Sequence, residues 1–257
     1  MKIRSTTFAS LTRLQAILLV LTLLAGCASV GPSTADEDND PLEPFNRQVF
    51  AFNRVLDRLV VKPAARGYRA LLPQFVRDRI RSMLDNLGEP LIFVNDLLQL
   101  RIDAAGTTFG RFVINSTVGV AGMFDRATTD GFQRQTGDFG QTLYRWGVQD
   151  GPYLVLPFFG PSNVRDTVGL GVDLVASPIG YAIPHDQRVE VALSVFVVNG
   201  VDQRERNIEA LDILEQGALD FYVHLRSVWR QHRASVLDDA RKRERPEELI
   251  DPEAPAR

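Results

Sequence analysis

The chain has 257 residues, of which 45% are hydrophobic and 24% charged, with a formal net charge of −3 and a single cysteine. This composition excludes a long disordered, collagen-like or disulfide-stapled protein, and leaves enough chain for one or two domains with a buried core. A mildly acidic balance argues against nonspecific nucleic-acid binding, and one cysteine allows neither an internal disulfide nor a Cys-based zinc site.

Lys2, Arg4 and Arg13 precede an uncharged apolar run from Leu14 to Leu24. The run is too short for a hydrocarbon core of about 30 Å but suits the apolar region of a signal peptide. It ends Leu24-Ala25-Gly26-Cys27, which resembles a bacterial lipobox. The resemblance implies that Cys27 becomes the first residue and carries acyl chains on its thiol and amine; the plainer alternative is a secretory signal beside an incidental thiol. Ala28, where an Asp would signal retention, resembles lipoproteins sorted to the outer membrane. Several acyl chains anchor permanently, since each buried CH₂ contributes about 0.8 kcal/mol. Loss of residues 1–26 reduces the 29 basic residues to 26 against 32 acidic ones, a net charge of −6. Residues 28–40, small, polar and acidic, read as a flexible tether of up to about 40 Å.

A helix start is expected at Asp40-Pro41, with Asp40 as cap and Glu43 in the first turn. Phe45, Val49, Phe52, Leu56 and Leu59 then share one face. Pro63, Gly67 and Pro73 punctuate the segment after this helix. A second amphipathic stretch from Gln74 to Leu87 is expected to turn at Gly88-Glu89-Pro90, before the apolar residues Leu91 to Leu100. A third helix spans roughly Ile102 to Val118. Residues 125–142 read as a polar loop or hairpin. Two Gly-Pro pairs and Pro157 exclude a continuous helix over Trp146–Ser162, whose aromatic content demands burial. A Gly-rich stretch from Asp166 to Pro184 leads to a helix over Val189–Val201, and a long helix is expected over Arg204–Ala240 despite Gly217. The charged, Pro-containing tail 241–257 reads as disordered. The fold class is therefore all-α, one mostly helical domain over 41–240 on a tether.

Catalytic constellations are not evident. Gly160-Pro161-Ser162 falls short of a nucleophile elbow, because Arg165 follows Val164 where a glycine would be needed. Ser162 thus reads as a capping residue. His224 and His232 lie eight residues apart, roughly 12 Å along a helix, too far to share a metal. Arg165-Asp166 reads as a buried ion pair, with a headgroup-phosphate contact as the alternative. Neither a metal nor a cofactor is expected.

Three segments together resemble the MlaA (VacJ) family of outer-membrane lipoproteins. They are Asn39-Asp40-Pro41-Leu42-Glu43-Pro44-Phe45-Asn46-Arg47 with Phe50, Phe52 and Asn53; Phe139-Gly140-Gln141-Thr142-Leu143 to Trp146-Gly147; and Gly151-Pro152-Tyr153-Leu154-Val155-Leu156-Pro157 through Gly160-Pro161-Ser162 to Arg165-Asp166. The segment Phe221-Tyr222 to Arg226, Trp229 and Arg233 is similar too. Tyr144 departs from the family, which usually has glycine there.

The resemblance implies a non-enzymatic helical ring in the periplasmic leaflet around an amphipathic channel. It would pass mislocalised outer-leaflet phospholipids to the periplasmic carrier MlaC, with porin trimers of the OmpC/OmpF type as partners. Phe139 matches a position that looks like a hydrophobic gate, the alternative being a turn aromatic packed on the core. Phe52 and Asn53 are channel-side candidates. A tethered scaffold for porins or envelope assembly, without lipid movement, is the competing reading, and a lipase using Ser162 a third.

Overall fold

The computed structural model describes residues 39–178, 180 and 183–242. The apolar run, Cys27, the tether as far as residue 38 and the tail from residue 243 lie outside the described residues. By its contacts the chain divides into Met1–Asp40 and Pro41–Arg257, and the described helices and strands belong to the second unit.

Helix α1 (Glu43–Leu56) begins later than Asp40-Pro41 suggested: Leu42 occupies the cap without a side-chain bond, and Pro44 stands in the first turn, where a missing N–H costs nothing. The rod continues through a π-helical turn (Asp57–Val61) into α2 (Lys62–Leu71). Pro63 lacks an N–H, so the wide turn falls where a helical hydrogen bond is already missing. Leu72, extended ahead of Pro73, ends the rod.

Gly88-Glu89-Pro90 does not break the chain. A single helix, α3 (Gln74–Leu98), runs through it, because Glu89 is fully buried against Arg111 of the next helix. That helix, α4 (Ile102–Thr117), matches its expected span. It returns antiparallel to α3, as Asp96 meets Thr108, Glu89 meets Arg111 and Asn86 meets Ser116.

Residues 125–142 form no hairpin. They carry the short α5 (Arg126–Thr129), capped by Asp125, and the first turn of α6 (Phe139–Arg145), capped by Asp138. The hairpin lies further on, where β1 (Tyr153–Leu156) pairs antiparallel with β2 (Gly160–Asn163), Tyr153 opposite Asn163.

The Gly-rich stretch proves helical as α7 (Val164–Ala176), capped by Asn163. Its glycines serve packing: a Cβ on Gly169 would lie 2.4 Å from the Gly140 nitrogen, so α6 and α7 meet backbone to backbone. Helix α8 (Arg188–Arg206) follows. The expected long helix is in fact divided into α9 (Ile208–Gly217) and α10 (Phe221–Lys242). Gly217 ends α9, Ala218 is extended, and the Asp220 carboxylate accepts the Tyr222 and Val223 N–H groups to start α10.

A small apolar core gathers Phe50, Tyr153, Val155 and Tyr222, with Val49, Phe221, Leu225 and Trp229 around it. Elsewhere the usual polarity is reversed. The buried positions of α4 are Ala105, Thr108, Arg111 and Asn115, whereas Ile102, Phe109 and Val113 are exposed. On α3 the buried residues include Arg77, Asn86, Glu89, Asn95 and Asp96. The apolar stripe of the rod behaves likewise: Phe45, Phe52 and Leu59 are exposed, while Asn46 is buried. Helical periodicity thus located the elements, but the polar face points inward. Among the described residues no helix is long and apolar enough to cross a membrane.

Candidate functional site

The interior between α3 and α4 is built from charge. Arg111 donates from Nε to Glu89 at 2.9 Å, from Nη1 to the Phe132 carbonyl at 2.7 Å and to Thr128 Oγ1 at 2.9 Å. Further along α3, Asp96 pairs with Arg101 at 3.2 Å and accepts the Thr108 hydroxyl at 2.8 Å. Burial pushes the Glu89 and Asp96 carboxyls above their ordinary range, opposed by these donors. Such groups are tolerated inside because almost every one has a partner.

A second polar seam zips the first rod to α8 and α9. Arg204 reaches Asp57 at 2.7 Å and Lys62 reaches Asp212 at 2.6 Å. Further along, Arg69 and Arg77 converge on Glu205. Tyr68 donates to Asp202 at 3.3 Å, and burial with that carboxylate pushes its hydroxyl up to about 12.

The segment carrying Phe139 is held by a third cluster. Arg233 of α10 donates to both oxygens of Asp138 at 2.8 Å, and to those of Asp166 at 2.8 and 2.9 Å. Burial alone would raise the Asp138 carboxyl, but the doubly bonded guanidinium outweighs it and holds the group below the ordinary range. Phe139 donates its backbone N–H to Asp173 of α7 at 3.0 Å, and Asn95 donates to the same carboxylate at 3.1 Å. Burial raises Asp173, and the neighbouring Asp138 charge adds to it. The Phe139 ring stands edge-on to Trp146, centroids 5.8 Å apart. Arg165, fully buried, bonds Asp166 at 3.0 Å and also Asp150. Tyr144 places its ring 5.2 Å from that guanidinium.

Phe52 and Asn53 meet the hairpin. Phe52 is exposed and packs edge-on against Phe158, whereas Asn53 donates to the Leu156 carbonyl at 2.9 Å and accepts from the Phe158 N–H at 3.0 Å. Two turns earlier Asn46 does the same for β1, donating to the Tyr153 carbonyl at 3.0 Å and accepting from Val155 at 2.9 Å. Gly151, Pro152, Pro157, Gly160 and Pro161 shape this region. Gly151 and Gly160 have positive φ, and the Pro152 carbonyl accepts the Val164 N–H at 3.2 Å.

Ser162 is buried and bonds Asn163 and Thr167, while Asn163, not Ser162, caps α7. His224 and His232 are exposed on α10. Sequence reasoning missed the pairs Glu89–Arg111 and Asp138–Arg233 as organising contacts. The signal for the first is a charged residue recurring at helical spacing opposite an apolar stripe; the second joins residues 95 positions apart and leaves no local mark.

Together these features define a class: a helical protein with paired charges buried between its helices and many large apolar side chains exposed. Residues 38–236 match the MlaA lipoprotein family, and the chain belongs to it. It is 34% identical over 241 residues to the intermembrane phospholipid transport system lipoprotein MlaA of Haemophilus influenzae, covering 91% of this chain and 94% of that one. To the protein of that name from Escherichia coli K12 it is 32% identical over 230 residues, covering 88% and 89%. An uncharacterized protein of Rickettsia bellii is 38% identical over 199 residues, covering 77% of this chain and 76% of its own. A solved structure described as the structural basis for maintenance of bacterial outer membrane lipid asymmetry matches with a TM-score of 0.68 at 30% identity. It covers 77% of this chain and 98% of its own.

Proposed function

We propose that this lipoprotein moves phospholipid between membranes as a non-enzymatic conduit, anchored through Cys27 in the periplasmic leaflet of a Gram-negative outer membrane. The observation that carries the reading is the reversed polarity. Phe109 is 55% exposed while Arg111, two residues away, is 2% exposed. An apolar exterior is unfavourable in water but suits acyl chains. A polar interior offers a phospholipid headgroup a path that hydrocarbon does not. The MlaA names of the relatives, with their intermembrane phospholipid transport, support the same reading.

Phe139, whose backbone N–H bonds Asp173 and whose neighbour Asp138 is held by Arg233, gates the passage. Lipid removed from the outer leaflet would pass to the MlaC carrier, with OmpC/OmpF-type porin trimers as partners in the membrane. The experiment is extraction of Cys27→Ala from membranes. A domain embedded in the leaflet still needs detergent; release by buffer alone would replace the conduit with a tethered scaffold. Deletion should raise outer-leaflet phospholipid, and no rise would end the transport reading.

A further inference from the structure

The buried arginines pair with carboxylates throughout: Arg77 with Glu205, Arg101 with Asp96, Arg111 with Glu89, Arg165 with Asp166. Arg79, half-buried on α3, has no such carboxylate partner among the described residues. Among the described residues its hydrogen bonding is one contact, Nη1 to the Met123 carbonyl at 3.1 Å, and its Nε is buried without an acceptor. Its guanidinium is instead held between two aromatic rings, 4.8 Å from the centroid of Phe75 and 4.5 Å from that of Phe124. Phe75 and Phe124 are both exposed, as is Met83, one turn along the same face of α3.

The loop that brings Phe124 to Arg79 is strained. Val120 and Ala121 both adopt positive φ, 54° and 55°, a conformation disfavoured by about 1 to 2 kcal/mol per residue. Bonds from the Ala121 and Gly122 N–H groups to the Ser116 and Asn115 carbonyls, 3.0 and 2.8 Å, hold it. The loop also exposes Val120 and Met123. A planar, permanently charged group is thereby fixed at an apolar surface, without a counter-anion among the described residues.

We propose that Arg79, clamped by Phe75 and Phe124, is a phospholipid headgroup site. It takes the phosphodiester through the guanidinium while acyl chains lie along Met83, Val120 and Met123. The site rests on the phospholipid reading of the whole protein, which it deepens. A phosphate anion satisfies the donor geometry, and the apolar surround selects a phosphate that carries acyl chains over a free one.

The test titrates the full-length lipoprotein, in phosphate-free dodecyl maltoside, with dihexanoylphosphatidylglycerol. The probe is the Arg79 Nε–H resonance, assigned as the one missing from Arg79→Lys. The site requires a saturable shift, and Phe124→Leu, which removes one ring of the clamp, should weaken the titration several-fold. No shift would overturn the proposal and leave Arg79 as a brace between α3 and the loop. An equal shift with inorganic phosphate would overturn it in favour of a free-anion site. Phospholipid copurifying with a protein whose Arg79 resonance stays silent removes only this site. Protein extracted from membranes with no phospholipid at all removes the broader reading instead.

Discussion

Arg111 and Glu89 form an ion pair at 2.9 Å with both side chains almost wholly buried, on helices whose apolar residues lie outside. Removing one member strands the other's charge, which typically costs about 3 to 5 kcal/mol. Arg111→Leu should therefore destabilise strongly in chemical unfolding followed in micelles. The double variant Glu89→Leu with Arg111→Leu should recover part of that loss, because apolar replacement of a whole buried pair is often neutral, while the Phe132 carbonyl still lacks its Arg111 donor. Equal destabilisation by the exterior change Phe109→Ser would show that the pair does not organise the interior.

This pair also shows what the sequence could reveal. Spacings of three and four residues marked α1, α3 and α4, because helix periodicity survives whichever face is buried. The direction of burial was not legible locally: a stripe such as Phe45, Phe52 and Leu59 looks the same facing a core or facing outward. Boundaries failed where tertiary contact overrode propensity. Glu89 carried α3 through Pro90, and backbone contact between Gly169 and Gly140 made a glycine-rich stretch a helix. Gly217 and Asp220 divided a periodicity that looked continuous. At the candidate site Phe139 was named, but its supports Asp173, Asn95 and Arg233 come from three distant helices.

Gly169 offers a direct handle on the Phe139 segment. A Cβ there would lie 2.4 Å from the Gly140 nitrogen and 2.7 Å from its Cα, so Gly169→Ala must push α6 away. Forced overpacking of this kind costs about 1 to 3 kcal/mol. Trp146, which packs on Phe139, reports the shift: its emission should change in a Trp229→Phe background. Gly171, on the same helix with nothing near its Cβ position, is the control. Gly171→Ala should leave Trp146 unchanged and add up to about 1 kcal/mol through helix propensity.

The carboxylates divide into two groups with opposite pH behaviour. Asp138 and Asp125 are held below the ordinary range despite burial, by Arg233 and by Thr128 respectively. Their stabilisation is complete above the unfolded value of about 3.9 and is lost as pH falls through the lower folded values. Glu89, Asp96 and Asp173 are raised by burial, so the cost of their charge is relieved as pH falls through the raised values. The thermal midpoint should thus hold or rise slightly as pH falls from 7, then fall steeply below about 4. Asp138→Asn should blunt that acid fall; an unchanged acid limb would exclude Asp138 as one of its causes.

Asn46 and Asn53 test whether similar bonds carry similar weight. Both bridge α1 to the hairpin through the two ends of the amide, but Asn46 is fully buried while Asn53 is half-buried beside the exposed Phe158. Asn46→Ala leaves the buried Tyr153 carbonyl and Val155 N–H without this partner, and should cost about 3 kcal/mol. Asn53→Ala lets water replace the amide, and should cost about 1 kcal/mol. Chemical unfolding of the two variants in the same detergent measures the difference, and equal losses would contradict the role of burial. The same variants separate architecture from passage. If Asn53→Ala keeps its stability yet raises outer-leaflet phospholipid, Asn53 serves the lipid path. If lipid distribution stays at the wild-type level, its amide acts only to fasten the hairpin.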